Sequence, residues 1–71
     1  MVNVYKLGGK IAENRYTQDA LADAINMDRS TLNRKLKTGE SFSVAQASAL
    51  TKVLKMSQED AIAIFFPHFV A

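Results

Sequence analysis

TQDALADAINMDRSTLNRKLKTG, running from Thr17 to Gly39, decides the fold. Leu21 and Ile25 repeat at helical spacing in its first half and Leu32 and Leu36 in its second, with only Asn26, Met27 and Asp28 between the two segments. Thr17 and Asp28 each stand directly before a segment, where a side-chain oxygen accepts a hydrogen bond from an otherwise unpaired helix N–H. Asn26 occupies the position that needs a positive φ, a conformation Asn tolerates better than most residues. Met27 can turn inward, Ala22 is small enough for a close helix crossing, and Gly39 stands where a left-handed residue ends a helix. Two helices joined so tightly meet at a steep angle, as in a helix-turn-helix, although a plain helical hairpin satisfies the same spacing.

The same start signal recurs along the chain. An apolar residue precedes a Thr, Asp or Ser, and a second apolar residue follows four positions after that cap, forming a staple. The instances are Tyr16-Thr17 with Leu21, Met27-Asp28 with Leu32, Phe42-Ser43 with Ala47, and Met56-Ser57 with Ala61. Gln46 completes a capping box with Ser43. Helices are expected at about residues 18–25, 29–37, 44–54 and 58–65, preceded by one at 6–13 that carries Leu7 and Ile11 on one face. Val44, Ala47, Leu50 and Leu54 continue the apolar spacing, as do Ile62, Phe65 and Phe66 before Pro67 closes the last helix. Val2-Asn3-Val4 is too short to read as a strand.

With 71 residues the chain is expected to form one domain, and at that size only about 60% of the unfolded surface is buried. Cysteine is absent, so disulfides and thiolate metal sites contribute nothing to stability. No apolar run approaches the ~20 residues of a membrane span, and Met1 to Leu7 lacks a secretory signal pattern, so a cytoplasmic location is expected. The net charge is only +2. Its distribution says more: Arg29, Arg34, Lys35 and Lys37 fall in one short stretch without an acid, while Asp19 and Asp23, and Glu59 and Asp60, collect elsewhere.

Thr17-Gln18-Asp19-Ala20-Leu21-Ala22, then Ile25 to Leu32, then Lys37-Thr38-Gly39, resemble the phage Cro/repressor-type (lambda-repressor-like) helix-turn-helix family. Lys6 to Ile11 and Phe65-Phe66 extend the resemblance over almost the whole chain, which is most similar to short Cro-like regulators of phages from Gram-positive bacteria. The resemblance implies an all-α, five-helix domain that regulates transcription by occupying a double-stranded DNA operator. Two positions depart from the family pattern. Lys35 and Leu36 replace the usual apolar residue followed by Glu, so Leu36 takes the core position and a buried Arg–Glu pair is not expected. Asp28 replaces Ser, putting a carboxylate near DNA in the role of a helix cap.

In that family the second helix of the motif enters the major groove. The matching base-reading positions are Arg29, Ser30, Asn33 and Arg34. Arg can bind guanine with two hydrogen bonds and Asn can do so with adenine. By the same resemblance Gln18 clamps a phosphate, and Thr17, Lys37, Thr38, Ser41 and Ser43 lie where the DNA backbone passes, Thr17 serving first as a cap. Lys10, Arg15, Lys35, Lys52 and Lys55 could widen the positive footprint.

Other chemistry finds little support. His68 is the single histidine and has no neighbouring second ligand or nucleophile. Glu59 and Asp60 suit the first turn of a helix, where negative charge favours the dipole. Gly8 and Gly9 lack the strand and spacing of a phosphate loop and weaken the first helix. Neither enzyme activity, nor a cofactor, nor a metal, nor a small-molecule substrate is expected. From Ala61 to Val70 the chain carries more apolar surface than one helix face buries, which leaves two roles for Phe65, Phe66 and Phe69: completing the core or meeting a partner. A homodimer contact through Ile62, Phe66 and Phe69 would suit a two-fold DNA site. The rival to DNA binding is a protein-interaction module, anti-repressor or antitoxin-like, that uses this apolar end.

Overall fold

A computed structural model, which describes residues 1–69, is all-α. Its elements are α1 (Val4–Glu13), α2 (Gln18–Ala24), α3 (Arg29–Thr38), α4 (Val44–Val53) and α5 (Gln58–Phe65), followed by a 3₁₀ turn at Pro67–Phe69. No strand occurs among the described residues. α2 packs on α3, α4 packs on α5, and α1 touches both α3 and α5. The Cα radius of gyration is 10.9 Å, matching the ~11 Å expected of a folded chain this long.

Every helix begins on a capping side chain. Thr17 Oγ1 accepts from the N–H of Ala20, the Asp28 carboxylate from Thr31, Ser43 Oγ from Gln46 and Ser57 Oγ from Asp60. The Gln46 side chain returns a bond to the Ser43 N–H, closing the expected capping box. α1 starts two residues earlier than expected because Asn3, not recognised as a cap, accepts from the Lys6 N–H through Oδ1.

The helix ends explain why the connections are short. Arg15, Asn26 and Lys55 all have positive φ, near 60°, 55° and 52°. After each of them the next N–H reaches back five residues: Tyr16 to the Ile11 carbonyl at 3.1 Å, Met27 to Ala22 at 2.9 Å, Met56 to Thr51 at 2.9 Å. Each left-handed residue also donates three residues back, completing a Schellman closure. Tyr16, Met27 and Met56 then pack against the core and directly precede the caps Thr17, Asp28 and Ser57. One apolar residue thus seals the end of one helix and staples the start of the next. The expectation for Asn26 holds, and the same conformation at Arg15 and Lys55 was not foreseen. α3 instead ends on Gly39, at φ 75°, whose N–H donates to the Lys35 carbonyl.

Leu7, Leu21, Leu32, Leu50, Leu54 and Ile64 are fully buried, and Val2, Ile11, Ala22, Ile25, Met56 and Phe65 complete the core. Phe42 meets Phe65 edge to face at 5.7 Å between ring centroids. Val2 is tied down by a bond from its N–H to the Gly39 carbonyl at 3.0 Å, and the Asn3 N–H bonds the Ile64 carbonyl at 2.8 Å. The N-terminal residues therefore join the end of α3 to α5. Asn14 adds a second link, donating through Nδ2 to the carbonyls of both Lys10 and Leu54.

One apolar expectation is corrected, and one left open is resolved. Val44 is 82% exposed rather than inward, because the first position of α4 lies outside the core that Leu50 and Leu54 enter. Of the terminal aromatics, Phe65 is core, whereas Phe66 and Phe69 are exposed. Val70 lies outside the described residues.

Candidate nucleic-acid interface

α3 carries its apolar residues on one side only. Leu32 is fully buried and Leu36 packs against the core, so the opposite sector is free for polar side chains. Ser30, Arg34, Lys37 and Thr38 are exposed there, and Arg29, which shares the helical phase of Leu36, is exposed at the first position of α3; the Arg29 side chain is 64% and the Arg34 side chain 57% accessible. α2 and the turn through Asn26 fix this helix to the body, aided by Ala22, which is buried as its small size requires.

Both arginines are already engaged. Arg29 Nη1 donates to Asp19 Oδ2 of α2 at 2.8 Å, bridging the two helices. Arg34 Nε donates to Glu40 Oε2 at 2.8 Å, just past the end of α3. Glu40 comes into reach because Gly39 reverses the chain. The Arg34 hydrogen bond, followed by that of the Thr38 hydroxyl, holds the Glu40 carboxyl below its ordinary pKa. Asp28 is likewise held low, first by the Ser30 hydroxyl and then by the backbone N–H of Thr31, so its charge belongs to the helix start.

The stretch read from sequence as free of acid is therefore flanked in space by three carboxylates, Asp19, Asp28 and Glu40. Neither Arg pairing was anticipated. Asp19 and Arg29 are ten residues apart and meet only through the fold, while the left-handed Gly39 was a visible signal that Glu40 would turn back toward α3.

Asn33 is corrected. Expected on the outward face with Arg29 and Arg34, it is half-buried, and its Oδ1 is sealed from solvent with no hydrogen-bond partner. The reason is helical phase: Asn33 is three residues from Leu36, on the adjoining strip of the helix surface, and Leu36 points inward. A buried acceptor without a donor costs about 1–3 kcal/mol.

Several expected phosphate contacts are partly committed elsewhere. The Thr38 hydroxyl bonds the Arg34 carbonyl at 2.9 Å and lies 3.1 Å from Glu40. Ser30 donates to Asp28. Thr17 and Ser43 are exposed but serve as caps through their oxygens. Gln18 is exposed on the rim of a shallow cavity of about 370 Å³, beside Tyr16 and Leu36. Ser41 is exposed, and its carbonyl accepts from the Lys35 ammonium, which also sits 5.5 Å from the Phe42 ring centroid. Lys35 is thereby directed to the loop rather than outward.

Lys10 also departs from the surface footprint. Its ammonium bridges Asp60 at 3.2 Å and Glu13 at 3.5 Å, tying α1 to α5 and raising its pKa chiefly through the Asp60 hydrogen bond.

At the opposite end of the chain, Ile62, Phe66 and Phe69 are 38%, 43% and 72% exposed, with the Phe66 and Phe69 rings 6.0 Å apart. Among the described residues no group of three or more metal-binding side chains gathers, and no helix is long and apolar enough to cross a membrane. No family model, curated protein or solved structure matches this chain.

Proposed function

We propose that the chain binds double-stranded DNA, with α2, the Asn26 turn and α3 acting as a helix-turn-helix, and that it regulates transcription by occupying its site. The observation that carries this reading is the face of α3: Arg29, Ser30, Arg34 and Lys37 are exposed on a ten-residue helix that buries only Leu32 completely. An α-helix fits the major groove of B-form DNA, and guanidinium groups on its outer face match the acceptors of guanine. Arg29 and Arg34 are the base readers in this account, and Lys37, Gln18, Ser41 and Ser43 face the sugar-phosphate backbone. Asn33 is left out of the base-reading set because its Oδ1, one of the two atoms that a paired contact to adenine needs, is sealed from solvent.

A second reading, a protein-interaction module, is favoured by one observation, the exposed Ile62, Phe66 and Phe69. Amide chemical-shift mapping separates the two. Titration of a 20-base-pair mixed-sequence duplex into ¹⁵N-labelled protein is expected to move the amides of α3 and of the α2 start, leaving α5 unperturbed. Shifts confined to α5, or none at low salt, would reject the DNA reading.

A further inference from the structure

We infer that Asp19 and Glu40 are specificity-determining residues, holding Arg29 and Arg34 against indiscriminate phosphate contacts while leaving each guanidinium one free two-donor edge for guanine. This rests on the DNA-binding reading above. It follows from the atom-by-atom form of the two ion pairs. Asp19 takes Nη1 of Arg29, which leaves the Nε–Nη2 edge unused. Glu40 takes Nε of Arg34, which leaves the Nη1–Nη2 edge unused. A guanidinium has five donors in a fixed plane, so a carboxylate at one nitrogen orients the plane without exhausting it.

The two candidate targets respond differently to such a carboxylate. Phosphate is an anion, and close approach to Arg29 or Arg34 also brings it toward Asp19 or Glu40. Guanine is neutral, and its O6 and N7 accept from one Arg edge with no like-charge penalty. Its paired cytosine presents an N4 amino donor that a neighbouring carboxylate can accept. The pairs are exposed, with side-chain accessibilities of 45% to 64%, so DNA reaches them without refolding the protein. Each carboxylate also comes from outside α3: Asp19 of α2 meets its first residue, and Glu40 turns back from beyond Gly39 at its end.

The test compares wild type with Asp19→Asn, Glu40→Gln and the double variant, using Glu59→Gln as a control for net charge. Glu59 is exposed on α5. Circular dichroism melts verify that each variant folds. Affinity for a mixed-sequence duplex is measured at several salt concentrations, and each protein is also used to enrich duplexes from a random pool. Removing one unit charge a few ångströms from a phosphate in water predicts tightening of non-specific binding by about threefold per carboxylate and roughly tenfold for the double variant. The log–log salt slope is expected to steepen by up to ~0.9 per carboxylate. The pool enriched by the double variant is expected to lose preference at the guanine positions that Arg29→Ala and Arg34→Ala also lose. Equal tightening by Glu59→Gln would overturn the inference, since net charge then explains the effect. So would unchanged affinity and an unchanged enriched sequence in folded variants, with the DNA reading intact. Absence of wild-type binding at low salt would remove both.

Discussion

The same substitution, glycine to alanine, should stabilise this protein at one position and destabilise it at another. Gly8 lies inside α1, with nothing within 4 Å of where a Cβ would sit. Alanine there recovers helix propensity of about 0.8–1.0 kcal/mol without a steric cost. Gly39 has φ 75°, and a Cβ would lie 3.2 Å from Met1 Cε and 3.4 Å from the Val2 carbonyl oxygen. The Met1 side chain can move, but Val2 is held by its N–H bond to Gly39 itself. A left-handed alanine costs about 1–2 kcal/mol, offset in part by about 0.4–1 kcal/mol from restricting the unfolded chain. Gly39→Ala is thus expected to lower stability by roughly 1 kcal/mol, and Gly8→Ala to raise it by nearly as much. For a domain of this size each kilocalorie moves Tm by about 4–8 °C. Thermal melts followed at 222 nm and urea titrations would measure both. A Gly39→Ala protein as stable as wild type, or a Gly8→Ala protein less stable, would refute the conformational argument.

Other expectations follow from the site and its surroundings. Asn33→Ala removes the orphaned buried acceptor and gains helix propensity, so Tm is expected to rise with an increase of about 1 kcal/mol, while binding to mixed-sequence DNA changes less than twofold; a loss of stability would show that Asn33 has a partner in solution. Acid should weaken the fold through Asp28, Glu40 and Asp60, whose folded pKa values lie below the ordinary 3.8, 4.5 and 3.8. Their stabilisation is present above those ordinary values and is lost as pH falls through the depressed folded ones. Lys10 works in the opposite sense: its folded pKa lies above 10.5, so its contribution is complete below 10.5 and disappears as pH rises through the folded value. In urea titrations across pH, the stability gap between wild type and Asp60→Asn should narrow on acidification below about 3.8 and again at strongly alkaline pH; a gap independent of pH would contradict the ion-pair account.

Local chemistry made much of the architecture readable. Thr17, Asp28, Ser43 and Ser57 each act within three residues of themselves, and the apolar staples within five, so helix starts are legible from short sequence windows. Asn3 escaped because Gly8 and Gly9 weaken the helical pattern of α1, an effect offset by the burial of Leu7 and Ile11. The left-handed turns at Arg15 and Lys55 escaped because neither residue favours that conformation; the partly buried Tyr16 and the buried Met56, packed against the core from the following position, require it. In the candidate interface, the exposure of Arg34 follows from helical phase, whereas Arg29 shares the phase of Leu36 and is exposed by its place at the start of α3. Their carboxylate partners were not legible, because an ion pair between Asp19 and Arg29 depends on how α2 crosses α3, and that angle is set by the core. Asn33 was misjudged because it borders the buried strip, where phase alone does not decide exposure.

Fluorescence anisotropy of a labelled mixed-sequence duplex, titrated with wild type and with Arg29→Ala/Arg34→Ala across a salt series, tests the central claim most directly. The account predicts wild-type dissociation constants of about 10⁻⁴–10⁻⁶ M that weaken steeply with salt, and a folded double variant that binds at least tenfold more weakly with a shallower salt slope. Equal binding by the two proteins, or none by wild type at low salt, would contradict it.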